Sequence, residues 1–185
     1  MMSMRSTLLS SSLAWVCCAA LLATGCGDDE SETPSSPPPS ELKGDWKYGT
    51  ASFTNFFGDQ GEYIGSGGGT AVYFDFNEDG TFKQQVYFNI RNGYCVTQSW
   101  TEMTGTATFD ATTFTTYVTK GRYKASDTCN SSFNFDRSMT EQERKTNSSA
   151  HLWTIGKNEI NPDDPKTYLK IRKSPSQAWD YFLRP

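Results

Sequence analysis

The chain has one histidine, His151, among 185 residues. It has no C-x-x-C pair, no G-x-S-x-G, and no Gly-Lys-[Ser/Thr] after its glycine-rich stretch. Structural zinc sites draw four ligands mostly from Cys and His, so this set excludes the familiar zinc modules. The missing G-x-S-x-G removes the nucleophile-elbow signature of α/β-hydrolases. Glycines 67–69 lead into a strand pattern rather than a lysine and a helix, so they form no phosphate-cradling loop. Lys and Arg number 17 against 21 Asp and Glu, a formal net charge of −4, with no basic cluster. That balance disfavours nucleic acid as a partner and offers anionic lipid no polybasic patch. No apolar run approaches the roughly 20 residues of a membrane-spanning helix.

What the chain does have begins at its N-terminus. Arg5 is the sole charge before Asp28, and an apolar run fills 13–25. A short cationic region, an apolar core and small closing residues predict a secretory signal peptide over 1–25. Its end, Ala23-Thr24-Gly25-Cys26, resembles the lipobox of bacterial lipoproteins. The resemblance implies cleavage before Cys26 and acylation, palmitate included, of its thiol and new amine. Several acyl chains hold a protein on a membrane where one is marginal. Gly27 follows Cys26 where Asp resembles an inner-membrane retention signal, so the outer membrane of the cell envelope is the expected location. Residues 26–40 read as the lipidated Cys and an acidic, then Pro-rich tether that buries no core and stays disordered. Residues 41–185 are long enough for one domain with its own core.

The other cysteines agree with export. Cys17 and Cys18 leave with the signal, and Cys95 and Cys129 remain as an even pair. A bridge between them would close a loop of about 35 residues and stabilise by about 3–4 kcal/mol in the chain-entropy model. A two-ligand metal site is the alternative, and the lone histidine argues against it.

The domain reads as all-β. Thr, Tyr, Phe and Trp are abundant, and the apolar period is two. Val72, Phe74 and Phe76 share a face, as do Phe82, Val86, Phe88 and Ile90, and then Tyr94, Val96 and Trp100. Further strands are expected at 44–52, 104–109, 114–119, 122–125, 151–155, 168–172 and 178–183. Turn signals separate them at 78–80, 91–93, 120–121 and 156–158. About eight to ten short strands on tight turns predict an antiparallel up-and-down barrel of about eight strands, or a β-sandwich. At most one short helix is expected, from the capping-box pattern Ser138-Met139-Thr140-Glu141 through about Lys145. Residues 54–69 form a long glycine-rich connection, read as a lid carrying Phe56, Phe57 and Tyr63 or as a plain surface loop.

Asp75-Phe76-Asn77-Glu78-Asp79-Gly80 matches the first half of a calcium loop. The twelfth position, which should be Glu, is Val86, and the ninth is Lys83. Asn77-Glu78-Asp79-Gly80 reads instead as a type I turn closing a hairpin. No metal and no cofactor are expected.

Gly44-Asp45-Trp46 is similar to the G-x-W that opens lipocalins. The later segments "FDFNEDGTF" and "TGTATFDATTFT" resemble the lipocalin-like domains carried by many bacterial lipoproteins. The resemblance implies an eight-stranded barrel with Trp46 across its closed end and residues 54–69 at its open end. Such barrels hold one small ligand or are filled by side chains. Phe74, Phe88 and Trp100 serve either case. Gln84 and Gln98, polar residues on apolar faces, are the candidate polar contacts of a pocket.

These readings favour a non-enzymatic, lipid-anchored protein that binds a small apolar ligand. An envelope interaction or inhibitor module with a filled barrel is the second reading. An unrecognised hydrolase is the third. His151 is expected on a strand, facing solvent or hydrogen-bonded.

Overall fold

Period-two segments rich in β-branched and aromatic residues give nine strands and one helix in the computed structural model, which describes residues 33–49 and 69–185. Residues 1–25, Cys26 and the lid residues Phe56, Phe57 and Tyr63 lie outside the described residues. The strands are β1 (Gly44–Gly49), β2 (Gly69–Phe76), β3 (Thr81–Asn92), β4 (Cys95–Phe109), β5 (Thr113–Asp127), β6 (Phe135–Ser138), β7 (Ser149–Gly156), β8 (Tyr168–Arg172) and β9 (Asp180–Phe182). The helix α1 (Glu141–Asn147) precedes β7.

All pairings are antiparallel, in the order β1-β2-β3-β4-β5-β7-β8-β9, with β6 added beside β5. Lys47 and Leu183 exchange backbone hydrogen bonds of 2.7 and 2.8 Å, bringing β1 to the chain just past β9. The sheet therefore nearly closes into an eight-stranded up-and-down barrel.

Several sequence expectations change, two of them around β5 and α1. Lys120-Gly121 is not a turn. β5 runs straight through it, and the β4–β5 register shifts between Thr104 and Gly105, leaving Thr119 unmatched. A bulge of this kind bends a long strand without ending it. Met139 packs on the bare face of Gly121, where a Cβ would lie 2.2 Å from its Sδ and push the thioether aside. The helix is also capped two residues later than expected. Thr140 is the N-cap, and its hydroxyl and Glu143 form the reciprocal capping box. Ser138 belongs to β6, and the bidentate Arg137–Glu143 pair at 2.7–2.8 Å holds Glu143 at the third helical position.

The Asp75–Gly80 stretch forms the β2–β3 hairpin. The Gly80 N–H donates to Asn77 O (3.1 Å), and the Thr81 N–H and hydroxyl donate to the Asp79 carboxylate. Gly80 sits at φ +78°. Residues 33–40, assigned above to the tether, run along this end of the barrel. The Ser36 N–H donates to Ala107 O (2.9 Å), the Phe109 N–H to Ser36 Oγ (3.0 Å) and the Thr106 hydroxyl to Pro34 O (2.7 Å). Composition marks these Ser, Thr and Pro residues as unable to bury a core. They dock by hydrogen bonds to the barrel instead. The strap ends at fully buried Leu42, whose carbonyl accepts from Trp46 Nε1 (2.8 Å). Arg184 lies 4.4 Å over the Trp46 ring and donates to the carbonyls of Lys43 and Glu41.

The half of the barrel interior nearest this end is solid. Phe76 and Phe114 rings lie 5.2 Å apart, with Phe74 at 5.4 Å and 6.0 Å from them. Phe82, Ala107, Val118 and Trp153 complete this core.

Candidate functional site

Above the Phe74 layer the interior is hollow. A cavity of about 550 Å³ opens between β2–β3 on one side and β7–β9 on the other. Its floor is Phe74, Phe182, Ile171 and His151, all buried. Val72 and Gln84 form one wall. Arg172, Lys173, Gln177 and Asp180 stand around the mouth.

Register explains the floor. Phe74 is matched with Trp46 and Gln84, and Gln84 with Met103, so these residues share the interior face of β1–β4. His151 is matched with Phe114, and Ile171 with Trp153 and Asp180, which puts them on the interior face of β7–β9.

His151 is 7% exposed. Its ring stacks on Phe114 at 4.8 Å, meets Phe74 edge-on at 6.3 Å, and shares a 2.9 Å hydrogen bond with Ser149 Oγ through Nε2. Burial, reinforced by the Lys173 charge, lowers its pKa to about 4, so the ring is neutral at pH 7. Desolvation raises the Asp180 carboxyl above its usual range. Among the described residues no carboxylate hydrogen-bonds the His151 ring, and no group of three His, Cys, Asp or Glu is placed to hold a metal ion.

The residues singled out in the sequence divide by face. Phe74 and Gln84 line the cavity. Phe88 has the same strand parity as Gln84 but is not among the lining side chains. Gln98 and Trp100 lie on the opposite face, matched with Asn89 and Tyr87. The inward residues of this part of β4 are Ser99, Thr101 and Met103. The alternation misleads here because the outer face also buries aromatics: Trp100 is 2% and Tyr87 0% exposed. When both faces are buried, the apolar pattern no longer says which one is inside. His151, Ile171, Arg172, Lys173, Asp180 and Phe182 were not recognised as site residues. His151, expected to face solvent or to be hydrogen-bonded, is buried and bonded to Ser149, and its alternation with Trp153 and Ile155 is the signal that points inward.

Cys95 and Cys129 form a disulfide with a Cα–Cα distance of 5.4 Å. It ties the start of β4 to the segment after β5, where the Thr128 N–H also donates to Val96 O (3.1 Å). A second hollow, about 640 Å³, lies at the strap end beside Trp46, Ile155 and Leu183. Its Arg184 is already committed to the Trp46 ring and two carbonyls. The barrel cavity is therefore the better-equipped site. No family model, no curated protein and no solved structure matches the chain.

Proposed function

We propose that this protein is a lipid-anchored component of the cell envelope that holds a small, largely apolar ligand in its barrel. One observation carries the reading: half of the barrel interior is packed solid, while the other half is a cavity with an aromatic floor and a few convergent polar groups. Binding sites for small molecules have this make-up. The lipobox resemblance at Cys26 supports the anchor, and the Cys95–Cys129 bridge supports an oxidising compartment. The Gly44-Asp45-Trp46 resemblance to lipocalins, with Trp46 buried beneath the solid half, supports a carrier or sensor role over catalysis. Native mass spectrometry of the mature protein should show a co-purifying small molecule. Displacement of an environment-sensitive apolar fluorophore should follow its addition. A protein that carries no adduct and binds no fluorophore would overturn the reading.

A second reading has its own observation. Phe133 is 59% and Phe135 45% exposed beside the short outer strand β6. Exposed aromatics of this kind favour an interaction module, tested by cross-linking in intact cells.

A further inference from the structure

We propose that the cavity is built for an amphipathic acid. Its apolar chain would lie on Phe74, Phe182 and Ile171, and its acid group would meet Lys173 and Arg172 at the mouth. This deepens the carrier reading above and rests on it.

Polarity is graded along the cavity. The floor is buried and aromatic, and every charged lining residue sits at the mouth. A ligand matching that gradient has one apolar end and one charged end.

The sign of the charged end follows from partners. Seven of the sixteen described Lys and Arg side chains are ion-paired, the strand neighbour of the cavity cations among them. Lys170, one turn of the pleat away, reaches Glu159 at 2.6 Å, and Arg122 and Arg137 have Asp136 and Glu143. Lys173 has no carboxylate within ion-pair distance among the described residues. Its charge nonetheless reaches inward, because it lowers the proton affinity of His151 on the floor. Arg172 also lines the cavity. Asp180 opposes an anion, but it is the one carboxylate beside two cations in the lining.

The Arg172 side chain and the Lys173 backbone are held in place before any ligand arrives. Arg172 stacks 4.0 Å over Trp179 and donates through Nη1 to Pro175 O at 3.0 Å. The Lys173 N–H donates to Gln177 Oε1 at 3.1 Å. Arg172 therefore needs little further ordering, which favours affinity.

The test compares three probes with one chain, decanoate, decyl phosphate and decanol, by isothermal titration into the mature protein. At least one acid should bind roughly tenfold more tightly than the alcohol, the size expected for one charge-assisted hydrogen bond. The acid preferred tells carboxylate from phosphate. Lys173→Met should remove the preference and leave decanol affinity unchanged, while Lys173→Arg should keep it. Asp180→Asn should tighten acid binding several-fold. Decanol binding as tightly as both acids, or an acid preference that survives Lys173→Met, would overturn the inference while leaving the carrier reading intact. Failure of all three probes to bind would overturn both.

Discussion

Ser149 Oγ lies 2.9 Å from Nε2 of His151, and the imidazole is stacked 4.8 Å from the Phe114 ring inside the barrel. The pair holds a neutral histidine where an imidazolium would be poorly solvated. The folded-state pKa is about 4, below the ordinary value of 6.5. Between those values the unfolded chain binds a proton that the folded chain does not. Stability from this group is therefore complete above pH 6.5 and declines as pH falls towards 4, by an amount on the order of 3 kcal/mol. Denaturant melts at pH 7.5 and 4.5 should show a smaller acid loss for His151→Gln than for the unmodified protein. Equal losses would mean that His151 is not what the acid acts on.

Gly80 should be intolerant of a side chain. It combines φ +78° with the docked strap, and a Cβ there would lie 2.3 Å from Ser35 Oγ and 2.6 Å from Ser36 O. Gly80→Ala should cost about 1–3 kcal/mol, as strained left-handed positions do. Ser36→Ala, which removes only the bond to the Phe109 N–H, should cost about 1 kcal/mol. Reversible urea unfolding ranks the two, and a Gly80→Ala loss no larger than that of Ser36→Ala would refute the clash.

The disulfide should contribute through the unfolded state. Cys95 and Cys129 are 34 positions apart, and the double Ser variant should lose about 3–4 kcal/mol. The Thr128–Val96 contacts stay available, so the strands should remain paired and the ligand site intact. A loss under about 1 kcal/mol would show that those contacts already restrict the reduced chain.

Local chemistry was legible in the sequence. Asn77-Glu78-Asp79-Gly80 encodes its hairpin in turn formers and a left-handed glycine, with no help from distant residues. The β period is equally local, whereas the barrel follows from the number of strands and the cysteine pair from two thiols left 34 positions apart. Where several local solutions compete, tertiary contacts decide. Ser138–Glu141 and Thr140–Glu143 both fit a capping box, and Arg137 selects the second. Lys120-Gly121 fits a turn, yet both residues stay paired with β4 and the irregularity is a bulge at the neighbouring Thr119. The cavity was least legible. Its floor joins Phe74 on β2 to His151 on β7 and Phe182 on β9, and only the register of a nearly closed sheet brings them together.

The anchor is tested at Cys26. With the thiol gone, the acyl transfer expected of a lipobox cannot occur, and the export signal alone leaves no lasting membrane hold. Cys26→Ser should move the protein from the membrane fraction to the soluble fraction. Persistent membrane association at unchanged abundance would remove the lipoprotein assignment.

Two glutamines separate the faces of the barrel by function. Gln84 lines the cavity, whereas Gln98 lies on the outer face opposite Asn89 and has Ser126 Oγ 3.4 Å from its carbonyl oxygen. Both are glutamines, so replacing either with Leu changes polarity to the same extent. If the cavity holds the ligand, Gln84→Leu should shift fluorophore affinity several-fold, in the direction set by the ligand's own polar groups. Gln98→Leu should leave that affinity unchanged and act only on stability, by about 1 kcal/mol through the lost bond. The reverse pattern would place the ligand on the outer face, where Trp100 and Tyr87 are buried, and would empty the barrel cavity of its proposed role.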